Sequence, residues 1–232
     1  MGSTTLPDNK TFNYLAFFDL DRTITKAVSG RVLALRAFRN GLLNRRDIAT
    51  GIFISLAYRF GFADPAKIME KMTGWVKGLA EDELTNLCHE VVQKDLIPSI
   101  HPEVYHEIRM HKSKKARIII LSTTLTEICR KIAEHLEIDD VICSRLEIIN
   151  GYLTGNPVGK LCYGDEKRLK IKEYCERNDS TPDEAWYYAD AFVDFPALNF
   201  VGFPVCVNPE RKLKNLAIKK GWKIFHWKEP TN

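Results

Sequence analysis

Two aspartates one residue apart, in Asp19-Leu20-Asp21-Arg22-Thr23, directly follow the apolar run Tyr14-Leu15-Ala16-Phe17-Phe18. A hydrophobic strand ending in two carboxylates holds them on rigid backbone at the C-terminal edge of a sheet, where open α/β folds bind ligands. If the extended conformation persists, alternation sends Asp19 and Asp21 to a similar side. They can then share a hard divalent cation while one carboxylate attacks and the other handles protons. By itself such a pair equally suits a solvated loop or the cap of a following helix.

Three further elements favour chemistry. Arg117-Ile118-Ile119-Ile120-Leu121 reads as a second buried strand that stops at Ser122-Thr123-Thr124, just before a helical pattern from about Leu125. A hydroxyl and free backbone N–H groups at such a junction form a pocket for phosphate. Gly164-Asp165-Glu166-Lys167 opens a lysine-rich helical stretch, and Lys167 there can neutralise a phosphoryl oxygen facing an anionic nucleophile. Lys160 is the rival lysine, although its neighbours Gly155 and Pro157 read as a loop. Ala185-Trp186-Tyr187-Tyr188-Ala189 is a third strand, and the paired carboxylates Asp190 and Asp194 behind it complete an oxygen-rich site for Mg²⁺.

In that order, strand-DxDxT, strand-Ser, Lys and strand-Asp-x3-Asp resemble the haloacid dehalogenase superfamily. The surroundings Gly164 to Lys167 and Tyr188 to Leu198 are similar to its phosphoserine-phosphatase-like branch, and the resemblance covers nearly the whole chain. It implies a Rossmann-like parallel α/β core with an inserted helical cap. It further implies that Asp19 is a nucleophile that becomes an aspartyl-phosphate, and that Asp21 protonates the leaving oxygen and then acts as base toward water. Ser122 and the N–H of Thr123 would grip phosphate beside Lys167. Asp19, the backbone carbonyl of Asp21, and Asp190 would hold Mg²⁺, with Asp194 orienting Lys167 or a water from behind. Thr23 either bonds locally to steady the turn or caps the helix that follows.

Composition agrees with such an enzyme. The 232 residues accommodate one α/β domain plus an insertion. With 34 basic and 30 acidic side chains, the formal charge of +4 is too small to indicate a nucleic-acid partner. Cysteines at positions 88, 129, 143, 162, 175 and 206 form no CxxC pair and sit mostly in apolar or helical stretches, which predicts reduced, buried thiols and a cytoplasmic location. No apolar run reaches membrane-spanning length.

The hundred or so residues between the first two strands exceed a single crossover helix. The expected division is therefore a core of residues 1–28 and 101–232 with a helical cap at 29–100. Helical patterns fall at Arg31–Arg39, Asp47–Phe60, Pro65–Leu79 and Asp82–Gln93. A helix over His101–Lys112 leads into the second strand, and Asn150-Gly151 marks a hairpin within Leu146–Leu153. The last core elements are Phe203–Val207, a helix near Glu210–Lys220, and Trp222–Trp227. His101, His106 and His111, spaced by five, share no ligand face and read as surface residues.

A closing cap excludes water and selects the leaving group. Phosphoserine phosphatases meet the substrate amine with Glu soon after the first motif, whereas this chain has Lys26-Ala27-Val28-Ser29, which disfavours L-phosphoserine. Ile52–Phe60 is apolar nearly all round with Arg45 and Arg46 upstream, as suits a lipid-like leaving group or a cap helix buried among its neighbours. Arg22 and the bulky Phe192-Val193 depart from the family pattern and affect the pocket's shape. The expected activity is Mg²⁺-dependent hydrolysis of a small phosphorylated metabolite. Phosphoryl transfer through the same intermediate, and binding of a phosphorylated ligand without turnover, are the alternatives.

Overall fold

The computed structural model describes residues 11–44 and 74–228. Its centre is β1 (Tyr14–Phe18), in which Leu15, Ala16, Phe17 and Phe18 are fully buried. A strand with no polar face needs neighbours on both edges and helices on both faces, and this one has them. On one side β1 pairs in parallel with β2 (Ala116–Leu125), which pairs with β3 (Asp140–Ser144). On the other it pairs with β6 (Trp186–Ala189), followed by β7 (Phe203–Val207) and β8 (Lys223–Phe225). The resulting order, β3-β2-β1-β6-β7-β8, is wholly parallel and reverses direction at β1. That reversal opens a crevice at the C-terminal ends of β1, β2 and β6, where doubly wound sheets bind ligands.

Helices α1 (Ser29–Arg39), α2 (Glu81–Val91) and α3 (Pro102–Ser113) lie between β1 and β2. The later helices are α4 (Thr126–Leu136), α5 (Asp165–Arg177), the short α6 (Phe195–Leu198) and α7 (Arg211–Lys220). Leu33, Ala37, Leu84, Leu87 and Val91 bury themselves in the same apolar cluster as Ile128, Cys129 and Ile132 of α4, so α1 and α2 are packed onto the core. The expected helices over Asp47–Phe60 and most of Pro65–Leu79 lie outside the described residues, as do Arg45, Arg46 and Ile52–Phe60. Within the described part of the latter, only Gly74–Val76 forms a single 3₁₀ turn.

The Asn150-Gly151 hairpin forms as expected, between β4 (Leu146–Ile149) and β5 (Tyr152–Pro157). Both turn residues have positive φ, 52° and 81°, which is the geometry that asparagine and glycine tolerate. The hairpin is tied to the segment that leads into α2: Gly78 N–H donates to Leu153 O, Leu153 N–H to Leu79 O, and Glu81 N–H to Gly151 O.

Two expectations need correction. Strand β2 runs past Leu121, because β3 continues to pair with it: Leu121 faces Ile142 and Leu125 faces Ser144, with the register slipping in between. Ser122, Thr123 and Thr124 therefore occupy an irregular strand end, while the helix begins where expected, with Leu125 as its N-cap and Thr126 its first residue. His101 and His111 are buried rather than on the surface, while His106 is exposed. His111 lies on the inner side of α3, where each ring nitrogen has a partner: Tyr14 Oη at 2.9 Å from Nδ1 and Tyr188 Oη at 2.8 Å from Nε2. Those phenols satisfy the imidazole that five-residue spacing alone left without a role.

Candidate active site

Asp19 is the first residue beyond β1, and its N–H donates to Tyr188 O at 2.9 Å, so both central strands hold the backbone at the carboxylate. Asp190 occupies the same position beyond β6. Asp194 ends the 3₁₀ turn Phe192–Asp194, which Glu210 ties down by accepting the Phe192 N–H at 2.8 Å while its own N–H donates to Asp190 O at 3.0 Å. All three aspartates are buried, and one carboxylate oxygen from each lies within 4.8 Å of the others. Phe192 stacks on Phe195, and the Lys212 ammonium lies 3.6 Å from its ring centre.

Lys167 reaches this group from the first turn of α5 and is itself buried. Its Nζ donates to Asp19 Oδ1 at 2.8 Å and to Tyr187 Oη at 3.0 Å, and lies 2.7 Å from Asp194 Oδ1. Gly164, with φ 56°, turns the chain into α5 in a region that a side chain resists. Burial by itself would lower the lysine's pKa, but Asp19 and Asp194 outweigh it and hold the ammonium well above its usual value. Lys160, the rival lysine, is instead 78% exposed and lies 3.7 Å from Glu166.

One ammonium among three buried carboxylates leaves an excess of negative charge, and the acids respond. Asp190 is pushed up to about 8, first by burial and then by the charges of Asp19 and Asp194, against smaller pulls from Arg22 and Lys167. Asp194 rises to about 6, first through burial and despite the lysine. The contact between Asp194 Oδ1 and Lys167 is an ion pair rather than an aligned hydrogen bond, and that oxygen has no hydrogen-bond partner among the described residues. Three crowded carboxylates that share a single ammonium suit a hard divalent cation such as Mg²⁺.

The chain does not stay extended after Asp19. It turns, with Arg22 at φ 59° and Thr23 N–H donating to Leu20 O at 3.3 Å, and the Asp21 carboxylate leaves the three-acid group. Ser29 receives it at the start of α1: the Ser29 N–H donates to Asp21 Oδ1 at 2.9 Å and Ser29 Oγ to Oδ2 at 3.0 Å. Ser29 Oγ lies 2.8 Å from Thr124 Oγ1, to which Ser122 Oγ donates at 3.3 Å. Burial, then the Asp19 charge, raises Asp21 to about 6 against the lowering effect of the Ser29 bonds. Thr123 is turned aside, its hydroxyl donating to Cys162 O at 2.8 Å.

A family model described as haloacid dehalogenase-like hydrolase matches residues 16–199, a span that holds Asp19, Asp21, Ser122, Lys167, Asp190 and Asp194. The chain belongs to that family. It is 30% identical over 221 residues to the inhibition of morphological differentiation protein of Streptomyces azureus, covering 93% of this chain and 79% of the relative. It is 25% identical over 219 residues to a histidinol-phosphatase of Neisseria meningitidis serogroup C, covering 92% and 99%. A phosphoserine phosphatase solved as a phospho-aspartyl intermediate analogue shares the fold, with a TM-score of 0.69 at 16% identity and 93% of each chain covered. The resemblance, the parallel α/β fold and the enzyme class expected from the motifs are borne out.

Within this hydrolase, Thr23 departs from both roles expected of it. Helix α1 begins only at Ser29, too far on for Thr23 to cap it, and the buried Thr23 hydroxyl has no hydrogen-bond partner among the described residues. Three polar groups of the site went unrecognised in the sequence: Tyr187 against Lys167, and the hydroxyls of Ser29 and Thr124 between Asp21 and Ser122. Tyr187 looks like any buried strand aromatic, and Ser29 meets Thr124 across 95 positions. The only visible signal was the hydroxyl run Ser122-Thr123-Thr124.

Proposed function

We propose that this hydrolase is a Mg²⁺-dependent phosphomonoesterase that works through a phosphoryl group carried on Asp19. The observation that carries the reading is the Asp19 carboxylate, fixed at the end of the central strand with Lys167 Nζ at 2.8 Å and Asp190 and Asp194 alongside. Asp19 and Asp190, with the Asp21 carbonyl, would hold the cation, which supplies charge neutralisation for the phosphoryl oxygens. An Asp19 carboxylate oxygen forms a bond to phosphorus as the bond to the leaving oxygen breaks, and that oxygen takes a proton from Asp21. Water then attacks the phosphorus of the acyl phosphate, gives a proton to Asp21, and releases inorganic phosphate with Asp19 restored. Ser122, the Thr123 N–H and Lys167 grip the phosphoryl oxygens, and Asp194 keeps Lys167 in place.

The role of the cap falls to residues 29–100, whose α1 starts beside the site. The absence of an acid from Lys26 to Ser29 favours a small phosphorylated metabolite other than L-phosphoserine. None of the six cysteines is in a disulfide, which fits a reducing cytoplasmic setting, and among the described residues no helix is long and apolar enough to cross a membrane.

A screen of sugar phosphates, phospho-amino-alcohols and lysophospholipids, scored for inorganic phosphate with Mg²⁺ and with EDTA, tests the reading. Phosphate release that EDTA stops and Mg²⁺ restores supports it. Phosphate passed to a second hydroxyl in a single turnover replaces hydrolysis with transfer, and binding without turnover makes the chain a ligand sensor.

A further inference from the structure

Asp21 is the one acid of the site that does not touch Lys167 or join the three-carboxylate group. What holds it is Ser29, with two donors from one residue on the two carboxylate oxygens, at 2.9 and 3.0 Å. Ser29 is 2% exposed, and the Asp21 carboxylate it meets is partly buried. Its hydroxyl is in turn fixed. With the Ser29 proton committed to Asp21 Oδ2, the 2.8 Å contact with Thr124 Oγ1 requires Thr124 to donate, and Thr124 then accepts from Ser122. Every hydroxyl in this chain of four residues has a defined direction. Thr124 is 8% exposed and Ser122 2%.

We infer that Ser29, braced by Thr124, is a positioning residue that aims the Asp21 carboxyl group at the leaving oxygen of the substrate, an assignment that rests on the phosphatase reading above. Each Asp21 oxygen spends one acceptor site on Ser29 and keeps another for the proton it delivers. Side-chain freedom is what a general acid on a turn would otherwise have, and proton transfer tolerates little of it. Because Ser29 is the first residue of α1, the clasp also ties the acid to the beginning of the insert.

The test separates aim from mere stability by varying how much proton assistance the leaving group needs. A dinitrophenolate departs as a stable anion, whereas an alkoxide must be protonated as it leaves. For Ser29→Ala in the full chain with Mg²⁺, kcat/KM, which reports only the steps up to departure of the leaving group and not the later hydrolysis in which Asp21 serves both substrates alike, is expected to fall at least about tenfold on an alkyl phosphate and less than about threefold on 2,4-dinitrophenyl phosphate. Ser29→Thr, which keeps the hydroxyl, is expected to restore the alkyl phosphate rate. Thr124→Val, which keeps the shape and removes the brace, is expected to show the same split more weakly, and it carries the test alone if Ser29→Ala does not fold. Equal losses on the two substrates, or no loss on either, overturn the assignment while leaving the phosphatase reading intact. A wild-type chain that turns over neither substrate overturns both.

Discussion

The Lys167 ammonium and the Asp19 carboxylate meet at 2.8 Å with both side chains buried, at the C-terminal end of the central strand. The lysine is the counter-charge within a group of three buried aspartates, and in the proposed mechanism it is also the group that an incoming phosphoryl oxygen meets. Lys167→Met is therefore expected to fail twice. Removing one partner of a buried pair leaves uncompensated charge, so the metal-free variant should lose roughly 3–5 kcal/mol of stability in denaturant unfolding. Turnover of an aryl phosphate should drop about 10²- to 10³-fold even with saturating Mg²⁺, as when a preorganised donor to developing charge is removed.

In the proposed cation site, protons and Mg²⁺ compete for Asp190. Burial and the neighbouring carboxylates raise this acid to about 8, so near neutrality the metal-free site holds a proton there that a cation must displace. Mg²⁺ affinity measured by calorimetry is expected to tighten as pH rises toward about 8, with proton release on binding that shrinks over the same range. Asp190→Asn should weaken binding and remove most of that pH dependence. Affinity independent of pH in the wild type contradicts the prediction.

His111 makes stability depend on pH in the opposite sense from the raised acids. Burial first, then the charges of Lys114 and Lys223, lower it from 6.5 to about 4. Tyr188 donates to Glu107 at 2.8 Å, so His111 Nε2–H donates to Tyr188 and the neutral Nδ1 accepts from Tyr14. Between those two pH values the unfolded chain takes up a proton that the folded one refuses, so stability from this residue is complete above the upper value and lost as pH falls toward the lower. Relative to His111→Gln, which shares every carboxylate, the wild type should lose up to about 3 kcal/mol more across that window, at ~1.4 kcal/mol per pH unit. Parallel unfolding curves for the two proteins contradict this.

The parts of the site visible in the sequence were those held by secondary structure. Apolar runs ending in Asp19, Ser122 and Asp190 announce strands, and adjacent parallel strands bring their ends together whatever lies between them. Asn150-Gly151 was equally plain, since two positive φ values are a local demand. The arrangements that escaped depend on pairs distant in sequence. Nothing local to Ser29 says that Asp21 turns back to it, because the turn follows from Arg22 adopting φ 59° where a persistent strand was expected. The extension of β2 depends on β3, and the burial of His111 on two tyrosines contributed by β1 and β6.

Substrate preference should follow from the missing acid in Lys26 to Ser29. L-Phosphoserine is expected to be hydrolysed no better than a phosphomonoester of comparable size without an amine, because no carboxylate in that stretch meets its ammonium. Comparison of kcat/KM for the two decides the point, and a preference for L-phosphoserine of tenfold or more, about 1.4 kcal/mol in transition-state binding, contradicts it.

The central claim concerns Asp19. Rapid acid quenching of the Mg²⁺-loaded enzyme during turnover, followed by mass spectrometry of its peptides, should find one added phosphoryl group on the peptide that contains Asp19. The added group should vanish when the substrate is exhausted before the quench, and should be absent from Asp19→Asn, which should also lose at least about 10³-fold in phosphate release. A phosphoryl group trapped on another residue, or turnover by Asp19→Asn at the wild-type rate, contradicts the account.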